Sequence, residues 1–219
     1  KFWSSMILAV GIAVAGGAIG LSISRVKAFD RYVTVKGLAE RTVKADEAIW
    51  RLGFSYSSNT LDDLYRGMAQ SQKAIQDFLT SHGFAPDAIQ VQPITVTDNE
   101  SNSYVQNTKL KRYKAKASIV LMTKKVDAVV KSVQKISTLV QGGVVLGNAE
   151  VKYLFSALNQ IKPKMLDQAT LNAQKAAKTF ARNSHSQLAG IRQASQGLVS
   201  IRDADGSYGN ADPIKKIRV

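Results

Sequence analysis

The sequence predicts an α+β fold: a largely antiparallel sheet covered by helices, in the order ββαββαβαββ, preceded by one transmembrane helix. Three observations predict it. Phe2 to Ser24 carries no charged side chain. Beyond Arg25, short segments alternate in the strand manner while longer ones repeat at helical spacing. Helices interspersed among strand pairs then imply layers of helix and antiparallel sheet, with the other sheet face left to water or to another copy. Residues 1–27 form the expected anchor and 28–219 the expected domain.

The apolar start comes first. As a helix rising about 1.5 Å per residue it would be roughly 34 Å long, enough to cross a hydrocarbon layer of ~30 Å. Trp3 near one end and Arg25, Lys27 and Arg31 beyond the other fit interfacial anchoring. Gly16 and Gly20 stand four apart, as do Ala13 and Gly17, and such spacing lets helix backbones approach closely in lipid. Ala13-Val14-Ala15 has the form of an export cleavage site. The chain still carries the segment, so a retained anchor is expected. Basic residues after the helix would favour a cytoplasmic domain by the positive-inside rule.

The domain elements follow in order. Arg31 to Glu40 alternates as a first strand, and Ala48 to Tyr56 is a second. Thr60-Leu61-Asp62-Asp63 has a capping hydroxyl and an acidic first turn. Leu61, Leu64, Met68, Ile75, Phe78 and Leu79 then form one helical stripe, closed by His82-Gly83. Ile89 to Val96 alternates but contains Pro93, which places it at an edge or a bulge. Asp98 to Thr108 is a polar loop. Tyr113 to Met122 is a long strand. Val126, Val129, Val130, Val133, Ile136 and Val140 mark a second helix ended by Gly142-Gly143, and Val144 to Phe155 is a further strand. A third helix is expected to begin near Pro163, with a buried face mostly of alanine from Ala169 to Ala181. Leu198 to Arg202 and Ile214 to Val219 are the final strands.

Composition excludes several chemistries. With no cysteine there are no disulfides, thiolate nucleophiles or cysteine-bound metals. Two isolated histidines, His82 and His185, lack ligand spacing, and no cofactor is expected. Ser184-His185-Ser186 lacks a nucleophile elbow and is expected to be a polar helix end. Asp203-Ala204-Asp205-Gly206 resembles part of a calcium loop without its downstream glutamate, and is expected to be a turn.

The formal charge is +14, and the excess is uneven. Lys109, Lys111, Arg112, Lys114, Lys116, Lys124 and Lys125 crowd the region around one strand. A field of that sign draws anionic lipid, envelope polymer or nucleic acid. No aromatic platform accompanies the lysines, so nucleic acid is not an expected partner.

Three stretches together carry a resemblance. They are Val35-Lys36-Gly37-Leu38-Ala39 with Val43-Lys44-Ala45-Asp46-Glu47-Ala48, then Tyr113 to Ile119 before the valine-rich helix, then Ala169 to Ala181 before Leu188-Ala189-Gly190. In order and spacing the chain resembles the SIMPL-domain (YggE-like) family of bacterial envelope proteins over nearly all of Asp30 to Val219. Ala39 stands where the family has glycine, and Ala45 where it has proline. The resemblance implies a domain in the periplasm and self-assembly into rings, with a loose link to envelope stress. With the apolar start as anchor, the expected place is the inner membrane, single-pass, with the domain in the periplasm. It implies no catalytic residues. The expected function is therefore a non-enzymatic, membrane-anchored subunit of a homo-oligomeric ring or cage, partnered by itself and by membrane lipid. The alternative is a monomeric module that captures anionic lipid or envelope polymer through the basic face.

Overall fold

The computed structural model describes residues 3, 6, 10–19, 32–101 and 110–219. Two units are distinguished: Lys1–Leu38 with Asp167–Gly197, and Ala39–Leu166 with Leu198–Val219.

The larger unit holds both sheets. In chain order its elements are β1 (Glu40–Lys44), β2 (Glu47–Ser58), α1 (Leu61–Ser81), a 3₁₀ turn (Pro86–Ala88), β3 (Ile89–Val91), β4 (Thr95–Asp98), β5 (Tyr113–Thr123), α2 (Val126–Val133), α3 (Ser137–Gln141) and β6 (Val145–Leu154). The start of α4 (Leu158–Asn183) follows, then β7 (Ser200–Asp203) and β8 (Ile214–Arg218). One sheet runs β3-β5-β2-β6, with β4 also pairing β5; the other runs β1-β8-β7. Among the described residues every pairing is antiparallel.

Alternation along β2 buries Ala48, Trp50, Leu52 and Phe54, and β5 adds Ala115, Ile119 and Leu121 on the same side. The stripe of α1 closes over them with Leu64, Met68, Ile75, Phe78 and Leu79. Trp50 meets Phe78 edge-on, with ring centroids 6.3 Å apart. The helix comes close because position 67 is glycine: a Cβ there would lie 2.4 Å from the Tyr56 ring. At its end Gly83 takes φ +85°, the left-handed turn expected of it.

Several expectations are corrected in detail. Residues 32–38 form no strand; pairing begins where Ala39 and Val219 exchange two backbone hydrogen bonds, one residue before β1. In the smaller unit that alternating segment lies against a helix instead. A Cβ on Gly37 would fall 1.8 Å from the Ala169 carbonyl oxygen, and the Asn172 amide donates to the Leu38 carbonyl at 2.7 Å. The alanine face of α4 therefore packs closely at Ala169 and Ala173, while Ala176, Ala177 and Ala181 are only half-buried and Phe180 is exposed, so the expected buried face is partial. Its partner Gly37 lies in the alternating segment, in backbone that is not strand.

The expected strand from Ile89 to Val96 is two strands with Pro93 between them. Val91 pairs Ile119 while Thr95 pairs Lys116, so four steps on one side oppose three on the other. That is the bulge the proline demanded. The valine-rich helix is likewise two, α2 and α3, separated by a turn at 134–136. Helix α4 begins at Leu158, so Pro163 lies inside it rather than at its start. The start is fixed from afar: the Asp46 carboxylate accepts the Ser156 and Ala157 amides at 2.7 and 3.1 Å. Helix α1 is not capped by the Thr60 hydroxyl either. Ser58 Oγ accepts the Thr60 amide at 3.3 Å and donates to Asp63 at 3.0 Å.

The expected transmembrane helix lies partly outside the described residues. Residues 10–19 are helical and exposed. Among the described residues no helix is long and apolar enough to cross a membrane.

Candidate functional site

Two groups of residues were expected to carry function. Of the small-residue positions, Ala13, Gly16 and Gly17 lie on the helical stretch 10–19, while Gly20 lies outside the described residues. A Cβ on Gly16 or Gly17 would meet nothing within 4 Å. Among the described residues their side of the helix is open.

The basic stretch is divided by the structure. Lys109 lies outside the described residues. Lys111, Arg112, Lys114 and Lys116 stand at the start of β5, and Lys124 and Lys125 lie beyond its other end. At about 3.4 Å per residue, Lys116 and Lys124 are about 27 Å apart, so one run in sequence makes two places in space. Arg112 is already engaged: it pairs with Asp98 at 3.3 Å and Glu100 at 3.1 Å, and lies over the Tyr113 ring. The Asp98 hydrogen bond raises its pKa above the ordinary guanidinium value. Lys125 donates to the Gly83 carbonyl at 2.8 Å and ties β5 to the end of α1. Lys111, Lys114, Lys116 and Lys124 are exposed and pair with no carboxylate among the described residues.

Histidine and carboxylate candidates take structural roles. His82 sits at the end of α1, its Nδ1 2.7 Å from the Phe78 carbonyl oxygen. His185 follows α4 with φ 51°, and Ser184 and Ser186 bond each other at 2.7 Å. Asp203 to Gly206 is a turn, with Gly206 at φ +90°. Within it, Asp203 forms a buried ion pair with Lys215; the two side chains are 1% and 0% exposed. Asp203 also accepts the Ala211 amide at 2.9 Å and the Ser207 hydroxyl at 3.3 Å. Burial alone would raise the Asp203 pKa. The Lys215 ammonium and the Ala211 amide outweigh it and hold the carboxyl below its ordinary value. Among the described residues no three His, Asp or Glu side chains gather to hold a metal ion.

Sequence reasoning missed one further feature, the outer edge of β6. That strand is bonded along one side to β2. On the other side the Tyr153 amide donates to the Asn210 carbonyl at 2.7 Å. In an antiparallel ladder alternate residues point the same way, so Ala149 and Val151 also direct N–H and C=O outward. No other backbone bond reaches that edge among the described residues. No pattern in the sequence separates an edge strand of this kind from a central one.

A family model described as "SIMPL: Protein of unknown function (DUF541)" matches residues 33–216. No curated protein matches the chain.

Proposed function

The chain belongs to the SIMPL family, and from that premise we propose that it is a non-enzymatic, membrane-anchored envelope subunit that assembles with copies of itself. The carrying observation is the helical stretch 10–19. Every residue from Val10 to Ile19 is apolar, and every one is exposed. A helix apolar on all sides is stable only when something other than water surrounds it. Lipid is the natural surrounding for such a surface, and Ala13, Gly16 and Gly17 offer a second copy a place for close backbone contact. The open edge of β6 gives the folded domain a further means of self-contact, since unpaired strand groups template pairing with another chain. Many weak contacts held in one membrane patch then act together through high effective concentration.

In this reading the domain faces the periplasm, and envelope stress is the setting in which it works. The absence of cysteine makes the location testable. A single cysteine placed at exposed Ser101 should react with a membrane-impermeant maleimide in cells whose outer membrane alone has been opened. Labelling only after the inner membrane is breached would overturn the placement. Extraction tests the anchor: high salt should leave the full chain in the membrane fraction, and only detergent should release it. Release by salt would refute anchoring.

A further inference from the structure

The β5 lysines gain meaning from their cross-strand neighbours. Strand register sets Thr97, Lys114 and Ser57 in one row across β4, β5 and β2, and Thr95, Lys116 and Ser55 in the next. Directly paired residues share a face, and this one is opposite the core face, where Ala115 is buried. Each lysine is thus flanked on both sides by a hydroxyl-bearing residue, with Cβ atoms about 5 Å apart across the strands. The two lysines follow each other along β5 at about 7 Å. Lys114, Lys116, Ser57, Thr95 and Thr97 are exposed, and Ser55 is half-buried.

Charge and polarity sharpen the pattern. Neither row contains a carboxylate, and neither lysine is paired with one among the described residues. Arg112 next to them is held by Asp98 and Glu100. The two ammonium groups therefore keep their full field, and four hydroxyls beside them can donate or accept. No aromatic ring stands in either row, so nucleobases have nothing to stack on. Within these two rows the apolar side chain is Val145, which pairs Ser55 at the far edge. What remains is a regular array of cations and hydroxyls, a match for a chain that itself alternates anionic groups with hydroxyls.

We propose that this face of β4, β5 and β2 binds an acidic linear polysaccharide. Lys114 and Lys116 take its anionic groups, and Thr95, Thr97, Ser55 and Ser57 bond its hydroxyls. The site is independent of self-assembly and does not include Lys124 or Lys125, which lie about 27 Å or more along the chain.

The test is a titration of the full chain, in mild non-ionic detergent at low salt, with dextran sulfate and with neutral dextran. Dextran sulfate should bind and dextran should not. Lys114→Gln with Lys116→Gln should weaken binding at least about tenfold, a loss of about 1.4 kcal/mol. Lys124→Gln with Lys125→Gln removes the same charge elsewhere and should change affinity by less than about twofold. Thr95→Ala with Thr97→Ala, which keeps both lysines, should weaken binding several-fold. Equal weakening by the two lysine pairs would reduce the effect to net charge and overturn the site. Insensitivity to the threonine pair would refute the part given to hydroxyls. Tighter binding of a single-stranded oligodeoxynucleotide than of dextran sulfate would overturn the ligand class. Every altered side chain is exposed, and unchanged thermal unfolding of each variant confirms its fold.

Discussion

Lys215 is a lysine without water. Its ammonium is fully buried, and the carboxylate of Asp203, bonded in turn by Ala211 and Ser207, makes that tolerable. Removing one partner strands the other: Asp203→Asn or Lys215→Met should cost about 3–5 kcal/mol in unfolding free energy. Replacing both with apolar residues should recover much of the loss. The same pair makes stability acid-sensitive. The folded pKa of Asp203 lies below the unfolded value of about 3.9. Its contribution is therefore full above that value and is lost as pH falls through the lower, folded one. Asp203→Asn should flatten the acid limb of a stability–pH curve; an unchanged limb would exclude the pair as its source. Gly67 offers a second residue-scale test. Alanine in a helix normally adds up to about 1 kcal/mol over glycine, yet here its methyl would strike Tyr56. Gly67→Ala should lower the melting temperature, with less effect when Tyr56 is also alanine. Much of this was hidden in the sequence. Asp203 read correctly as part of a turn, but nothing twelve residues away announces that Lys215 folds inward, because a buried lysine breaks the usual rule for its type.

Elements were legible where their signals are local. Alternation placed β2 and β5, the Leu-Met-Phe stripe placed α1, and Pro93 marked the bulge between β3 and β4. They were misread where a distant group decides. The start of α4 depends on Asp46, more than a hundred residues earlier in the chain, and so Pro163 looked like the start when it is an interior residue. Asp46→Ala should cost about 1 kcal/mol and fray the first turn of α4, measurable as faster amide exchange there, while Asp46→Asn should retain most of the cap. Residues 32–38 failed for the opposite reason: their alternation is real, but the partner is a helix face admitted by Gly37. The basic site was half legible. Composition found the lysines, and only strand register showed that Lys114 and Lys116 share a face with four hydroxyls while Arg112 and Lys125 are occupied.

At the scale of the whole molecule, the two kinds of open surface carry the account: an exposed apolar helix at 10–19 and an edge on β6 that, among the described residues, is bonded only at Tyr153. The edge has a direct test. Proline at Val151 deletes an outward N–H and leaves the inward bonds of its neighbours to β2, which an edge strand tolerates. If copies meet at this edge, Val151→Pro should yield smaller particles with little change in melting temperature. On the proposed anchoring, these particles should stay in the membrane fraction. The central claim, that the chain acts as an assembly, rests on mass. Light scattering on a sizing column, with the intact protein in mild detergent at low and at high salt, measures it directly. The account predicts a particle many times the mass of one chain, unchanged by salt. A monomer under every condition would contradict it.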